Sequence, residues 1–266
     1  VTYIPLANST VLHVPQPKGV IQFIGGFLFG SFPQQAYGPL LALLQAQGFS
    51  LVVYRFPLNP FQLNHWEVAI GLYKEQIRVR EMMRRSMGDV PCFSWLGHSL
   101  GCKFIILLEV LSHEPQRRQE LLTKVLGSSA ASKLINQIDS IGEETSFIRD
   151  QPSLFLAPEI SNTVRLLRSG WRLRSPGSRP NQKQTEHLIK GSPELFNLFG
   201  VVRFKWDAIA EDDVDFLIGE MSQRHAKPPL VTELDGMHLA PLGLQVEIIG
   251  QTIISNIEKL RGDLTS

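Results

Sequence analysis

Two kinds of apolar pattern take turns along the chain. Nearly unbroken apolar runs at residues 20–24, 51–54 and 90–96 read as strands covered on both faces, and Phe199–Phe204 and Leu230–Leu234 repeat the pattern later. Between them lie segments whose apolar residues recur every three or four positions, the spacing of a helix with one buried face. Residues 39–47 form one, with Gly48 as its stop signal. Asn64 and Glu67 suggest a capping box opening a long helix to about Met87, and residues 102–111 form a more apolar helix. Leu242, Val246, Ile249, Ile253, Ile257 and Leu260 keep helical spacing and predict a terminal helix over one sheet face. Residues 2–6 and 11–14 read as a leading hairpin around Asn8-Ser9. Strands alternating with helices predict an α/β protein with a mainly parallel sheet flanked by helices.

The middle of the chain breaks this rhythm. Residues 113–150 are helical and polar, with apolar faces at 121–126 and 134–141, and residues 153–158 read as a strand. Residues 164–180 then carry Arg165, Arg168, Arg172, Arg174 and Arg179 around Trp171, without one acid. An excursion of this length predicts a helical cap or lid at about residues 113–195 of a single domain spanning 1–266.

Composition narrows the classes. Hydrophobic content of 43% and charged content of 19% belong to a globular chain rather than a disordered one. A net charge of +1 gives no electrostatic case for nucleic acid. No apolar stretch reaches the length of a membrane span, and no secretory leader is read. The two cysteines, Cys92 and Cys102, read as small buried residues packing either side of one motif, not as a disulfide or metal site. A reducing compartment such as the cytoplasm is expected.

That motif is Gly97-His98-Ser99-Leu100-Gly101, a G-x-S-x-G pentapeptide between a predicted strand and a predicted apolar helix. A sharp strand-to-helix turn pushes a serine hydroxyl out of the backbone and aims the next amide at it. Serine is a poor nucleophile near neutral pH and needs a base, which in turn needs a group to fix its tautomer. In chain order the acid should follow a late strand and the histidine the last one. Asp207 stands just past Phe199–Phe204, with Glu211 or Asp212 as alternatives in an acidic cluster opening the next helix. His238 stands just past Leu230–Leu234, in Asp235-Gly236-Met237-His238-Leu239. The other histidines are less well placed, and His98 is expected to pack against the sheet. The second oxyanion donor falls in Gly25-Gly26-Phe27-Leu28-Phe29-Gly30, so the expected donors are the amides of Leu100 and Phe27. Gly25, Gly26, Leu28 and Phe29 are the expected substrate contacts. No metal or organic cofactor is needed for this chemistry.

With these residues in view the chain resembles the α/β-hydrolase superfamily over nearly its whole length. Gly97-His98-Ser99-Leu100-Gly101-Cys102-Lys103, Asp207-Ala208-Ile209-Ala210-Glu211-Asp212-Asp213 and Gly236-Met237-His238-Leu239 resemble one of its families more narrowly, domain of unknown function 1350 of cyanobacteria and plant plastids. The resemblance implies the fold, a Ser-Asp-His site and a photosynthetic host, but no substrate. Where many hydrolases have His-Gly before the oxyanion residue, this chain has Gly25-Gly26. The expected function is a serine esterase or acyl hydrolase, lipase-like, working through an acyl-enzyme. An acyltransferase or thioesterase, or a catalytically silent binding or scaffold protein of the same fold, are the alternatives. The expected partner is a small-molecule or lipid acyl substrate. An anionic headgroup or membrane surface would meet Arg165, Arg168, Arg172 and Arg174.

Overall fold

The computed structural model describes residues 2–56, 64–87, 92–141, 148–161, 163–165, 172–174, 178–224 and 228–263. In chain order the elements are β1 (Thr2–Pro5), β2 (Ser9–His13), β3 (Gly19–Ile24), α1 (Pro33–Ala36), α2 (Gly38–Ala46), β4 (Phe49–Tyr54), α3 (His65–Met87), β5 (Phe93–His98), α4 (Leu100–Leu111), α5 (Pro115–Leu126) and α6 (Ser128–Asp139). They continue with β6 (Ser153–Leu156), β7 (Thr163–Arg165), β8 (Arg172–Arg174), α7 (Gln182–Lys190), β9 (Phe199–Phe204), α8 (Glu211–Ser222), β10 (Leu230–Leu234) and α9 (Val246–Gly262).

Eight strands form one sheet in the order β1-β2-β4-β3-β5-β6-β9-β10, with β2 antiparallel to both neighbours and every later pairing parallel. Parallel neighbours need crossovers, and these are right-handed as a rule. The step from β3 back to β4 therefore puts α2 on one face. The steps from β4 through β5, β6 and β9 to β10 put α3, α4, α7 and α8 on the other. α9 packs on α2 and completes the first face. Covered on both sides, β3 and β4 are buried along their whole length, which is why they read as unbroken apolar runs. Arg261, near the end of α9, ties that helix to the far end of the sheet through Ser94 Oγ (3.0 Å) and the carbonyls of Cys92 (2.9 Å) and Lys18 (3.3 Å).

The segment expected as a cap, 113–195, is divided by β6, which is a central strand hydrogen-bonded to β5 and β9. Ahead of it, α5 and α6 form a helical hairpin beside α3, and α5 also packs on α7. Behind it, the chain makes an excursion at the C-terminal end of the sheet between Ala157 and Pro180, and α7 then packs along α4. At the start of α3 Asn64 Nδ2 donates to Glu67 Oε1 (2.8 Å), and a reciprocal capping box of Asn181 and Gln184 opens α7. Cys102 is fully buried, but Cys92 is exposed at the mouth of β5, so only one thiol packs the motif.

Two glycines set the distance between α4 and the sheet. A Cβ on Gly97 would lie 2.9 Å from the Cys102 backbone, and one on Gly101 would collide with the carbonyl oxygens of Ile24 and Gly25. Gly101→Ala is therefore expected to lower stability by about 1–3 kcal/mol, because backbone must move. Gly71→Ala, in α3 with open space around the new methyl, should stabilise by about 0.5–1 kcal/mol. Urea denaturation of the two variants checks both signs.

Candidate active site

Ser99 joins β5 to α4 in a backbone conformation that L-residues avoid, φ +53° and ψ −123°. The sheet holds it there. Its amide donates to the Leu156 carbonyl (3.0 Å), and its carbonyl accepts from the amides of Cys102 (3.1 Å) and Glu159 (3.2 Å). Such strain persists only where the surroundings over-determine it.

The three residues expected from sequence meet here. His238 Nε2 lies 2.8 Å from Ser99 Oγ, and His238 Nδ1 lies 2.8 Å from Asp207 Oδ2. The other Asp207 oxygen, Oδ1, accepts from the amides of Ile209 (2.9 Å) and Ala210 (3.1 Å), so both carboxylate oxygens are engaged. All three side chains are buried. Glu211 and Asp212, the alternative acids, are exposed on the first turn of α8. Of the acidic cluster, Asp213 is buried and accepts from the amides of Ile160 (2.8 Å) and Ser161 (2.9 Å), and Asp215 pairs with Arg203 (3.1 Å).

The oxyanion candidates sit beside the serine. A Cβ on Gly26 would come within 3.0 Å of the Ser99 Cβ, so the loop after β3 passes directly over Ser99. Among the described residues, no turn or loop hydrogen bond takes up the amides of Phe27 or Leu100. The Gly26 amide, by contrast, donates to Tyr37 Oη (2.8 Å). Gly25 and Gly26 are buried, Phe29 is half-buried, and Phe27 and Leu28 are 44% and 46% exposed.

His98 does more than pack. Its Nδ1 lies 2.6 Å from Tyr37 Oη and its Nε2 lies 2.9 Å from the carbonyl oxygen of His238. Burial holds its pKa down at about 3, with the nearby His238 adding to the effect. Tyr37, on the turn between α1 and α2, belongs to no pattern a sequence reading could use. Nor does Glu159, and Lys103 closes the Gly97–Lys103 stretch without a role being read for it. Lys103 is fully buried on α4 and donates to the Pro180 carbonyl (2.8 Å), while the His65 amide donates to the Arg179 carbonyl (2.8 Å). Burial pulls Lys103 down to about 7, against the opposing pull of Glu159 and Asp213. Asp213 and Lys103 thus pin the two feet of the excursion that follows β6.

In that excursion β7 and β8 pair antiparallel, with Arg165 opposite Arg172 and Thr163 opposite Arg174. Arg168 and Trp171 lie outside the described residues. Among the described residues, no helix is long and apolar enough to cross a membrane, and no group of three His, Cys, Asp or Glu could hold a metal ion.

Residues 5–260 match the family described as protein of unknown function, DUF1350. The chain belongs to this family. No curated protein matches the sequence. Solved structures match over nearly the whole chain. A fungal esterase from Rhizomucor miehei matches with TM-score 0.56 and 12% identity, over 99% of this chain and 84% of that one. Est1E from Butyrivibrio proteoclasticus matches with TM-score 0.50 and 15% identity, over 97% and 98%. Likeness at such identities establishes the fold, which is that of the α/β-hydrolases.

Acid should act on this fold by a calculable route. Burial, aided by the charge of Lys103, holds the His65 pKa down at about 3, as burial does for His98. The unfolded chain takes up both protons near pH 6.5, so between about 6.5 and 3 it binds protons that the native state refuses. The stability these two histidines contribute therefore falls as pH drops through that window, while Glu109 and Asp213, whose carboxyls burial pushes up, work in the opposite sense. Urea midpoints at pH 7, 5 and 4 check this, and His65→Gln, with one imidazole fewer to charge, should lose less between pH 7 and 4 than the parent.

Proposed function

We propose that this family member is a serine hydrolase of carboxylic esters or related acyl substrates. The observation that carries the reading is the continuous hydrogen-bonded line from Ser99 Oγ through His238 to Asp207 at a strained strand-to-helix turn. In the proposed cycle Ser99 Oγ attacks the acyl carbonyl carbon while its proton passes to His238 Nε2. Negative charge gathers on the carbonyl oxygen, where the amides of Leu100 and Phe27 would receive it. His238 then gives the proton to the departing alkoxide, leaving an acyl-serine. Water attacks that ester, its proton again going to His238, and the carboxylic acid leaves as Ser99 recovers its hydrogen. Asp207 keeps Nδ1 protonated and Nε2 free to accept, and it stabilises the imidazolium.

Apolar side chains at the same end of the sheet support an acyl chain as the substrate's larger part. Phe27, Leu28 and Phe32 are exposed on the loop after β3, Trp206 precedes Asp207, and Met237 and Leu239 flank His238. Arg165, Arg172 and Arg174, in the excursion after β6, suit an anionic headgroup on the substrate or its lipid surface.

Intact-mass analysis after exposure to a fluorophosphonate probe tests the reading. The wild type should gain one adduct and Ser99→Ala none, with the variant still folded. No adduct on folded wild type would turn the reading to a silent binding protein. Asp207→Asn should cut ester turnover by a factor on the order of 10⁴, since an amide at that position fixes the wrong tautomer of the base. A mild effect there with a severe one at Asp212 would reassign the acid.

A further inference from the structure

His98 and Tyr37 are buried, polar and unused by the mechanism above, yet they connect its three parts. The chemistry of the groups assigns every proton in the chain between them. A carbonyl oxygen only accepts, so the contact with His238 requires that His98 Nε2 carry hydrogen. In a neutral ring Nδ1 is then bare and accepts from the Tyr37 hydroxyl. The Tyr37 oxygen, having donated its hydrogen, accepts from the Gly26 amide. Each group is satisfied in one arrangement only. A charged His98 would present hydrogen at both nitrogens and leave the phenol hydrogen without its acceptor.

Among the described residues, few other hydrogen bonds join these segments. His238 follows β10, the edge strand, with β9 and β6 between it and β5. The loop is fastened on the β9 side by the Trp206 amide donating to the Gly236 carbonyl (3.0 Å). Toward β5, its polar ties among the described residues are those to Ser99 Oγ itself and to His98 Nε2. The Tyr37 ring is fixed in turn, edge-on to Phe23 at 4.7 Å and against Gly25, where a Cβ would come within 2.7 Å of the ring.

Resting on the proposed hydrolase reading, we infer that Tyr37 and His98 are positioning residues. They hold the main chain of the base, His238, and the Gly25–Gly26 peptide, which directly precedes the Phe27 amide of the oxyanion side, in fixed register with Ser99. The relay acts through main-chain atoms, so it sets where the imidazole and the amide stand without touching substrate.

Three variants separate the links. Tyr37→Phe removes one hydroxyl and breaks the link to Gly26. His98→Asn keeps an acceptor near Nδ1 but loses the donor to His238, whereas His98→Gln reaches the Nε2 position and can still donate. The kinetics of fluorophosphonate labelling should show the maximal rate falling up to about 100-fold in Tyr37→Phe and His98→Asn, with the probe's half-saturating concentration unchanged. His98→Gln should recover most of that loss. Destabilisation alone would instead lower the labelled fraction and the melting temperature together. Full wild-type rates in Tyr37→Phe and His98→Asn would overturn the inference.

Histidine ¹⁵N spectra give a readout that needs no reactivity. The wild type should show His98 as the neutral Nε2–H tautomer and a His238 Nδ1–H protected from exchange, and His98→Asn should lose that protection. If the wild type does not label but the spectra respond in this way, the hydrolase reading fails while the relay stands. Spectra of His238 indifferent to His98→Asn would sink the relay whatever the labelling shows.

Discussion

The first turn of α4 passes so close to the carbonyl oxygens of Ile24 and Gly25 that Gly101 has no room for a side chain. From this approach the geometry of the candidate site follows. It brings the helix N-terminus, with its unpaired amides, beside the end of β3, and it forces the chain at Ser99 into a positive φ that the sheet must hold in place. The loop after β3 then has to cross the serine with almost no clearance, which Gly26 allows and any larger residue would obstruct. The glycines are thus the means by which three backbone segments share one small volume.

Behind that volume the protein buries charge. Lys103, Glu159 and Asp213 are each under a tenth exposed, on α4, on the turn after β6 and on α8. Removing ions from water is costly, and such a group is tolerated when it is paired and hydrogen-bonded. Here Asp213 takes two amides at the start of the excursion after β6, and Lys103 takes a carbonyl at its end. The path of the chain into and out of that excursion is therefore fixed by polar contacts whose loss would strand a buried charge. This organises a loop where apolar packing alone would leave its register loose.

Much of this was open to a reader of the sequence, for physical reasons. Parallel strands covered on both faces are apolar along most of their length, so β3, β4 and β9 announce themselves. A serine between glycines, with a strand before and a helix after, needs no structure to be noticed. Asp207 and His238 follow because parallel strands deliver their loops to one end of the sheet. What stayed hidden depends on contacts between distant segments. Residues 153–158 read as a strand, but four paired residues do not say whether they belong to the central sheet or to a cap. Lys103 and Asp213 look like surface charges until the chain closes over them. Tyr37 lies in a stretch of no periodicity, and its partners, Gly26 and His98, are known only once α1 and α2 fold back over the end of β3.

The neutral state of His98 joins the fold to the proposed chemistry. Its ring centroid is 5.3 Å from that of His238, the group that must accept a proton as Ser99 attacks. A second positive charge at that separation would raise the energy of the imidazolium by about 3 kcal/mol at an effective dielectric near 20, roughly two powers of ten in rate. Burial removes that opposition by keeping His98 uncharged to about pH 3. The same neutrality leaves Nδ1 bare for Tyr37 and Nε2 protonated for the His238 carbonyl. One buried, uncharged imidazole can thus fasten the base in place without competing with it for the proton, a role that lysine or arginine, charged near neutral pH and lacking an acceptor, could not fill.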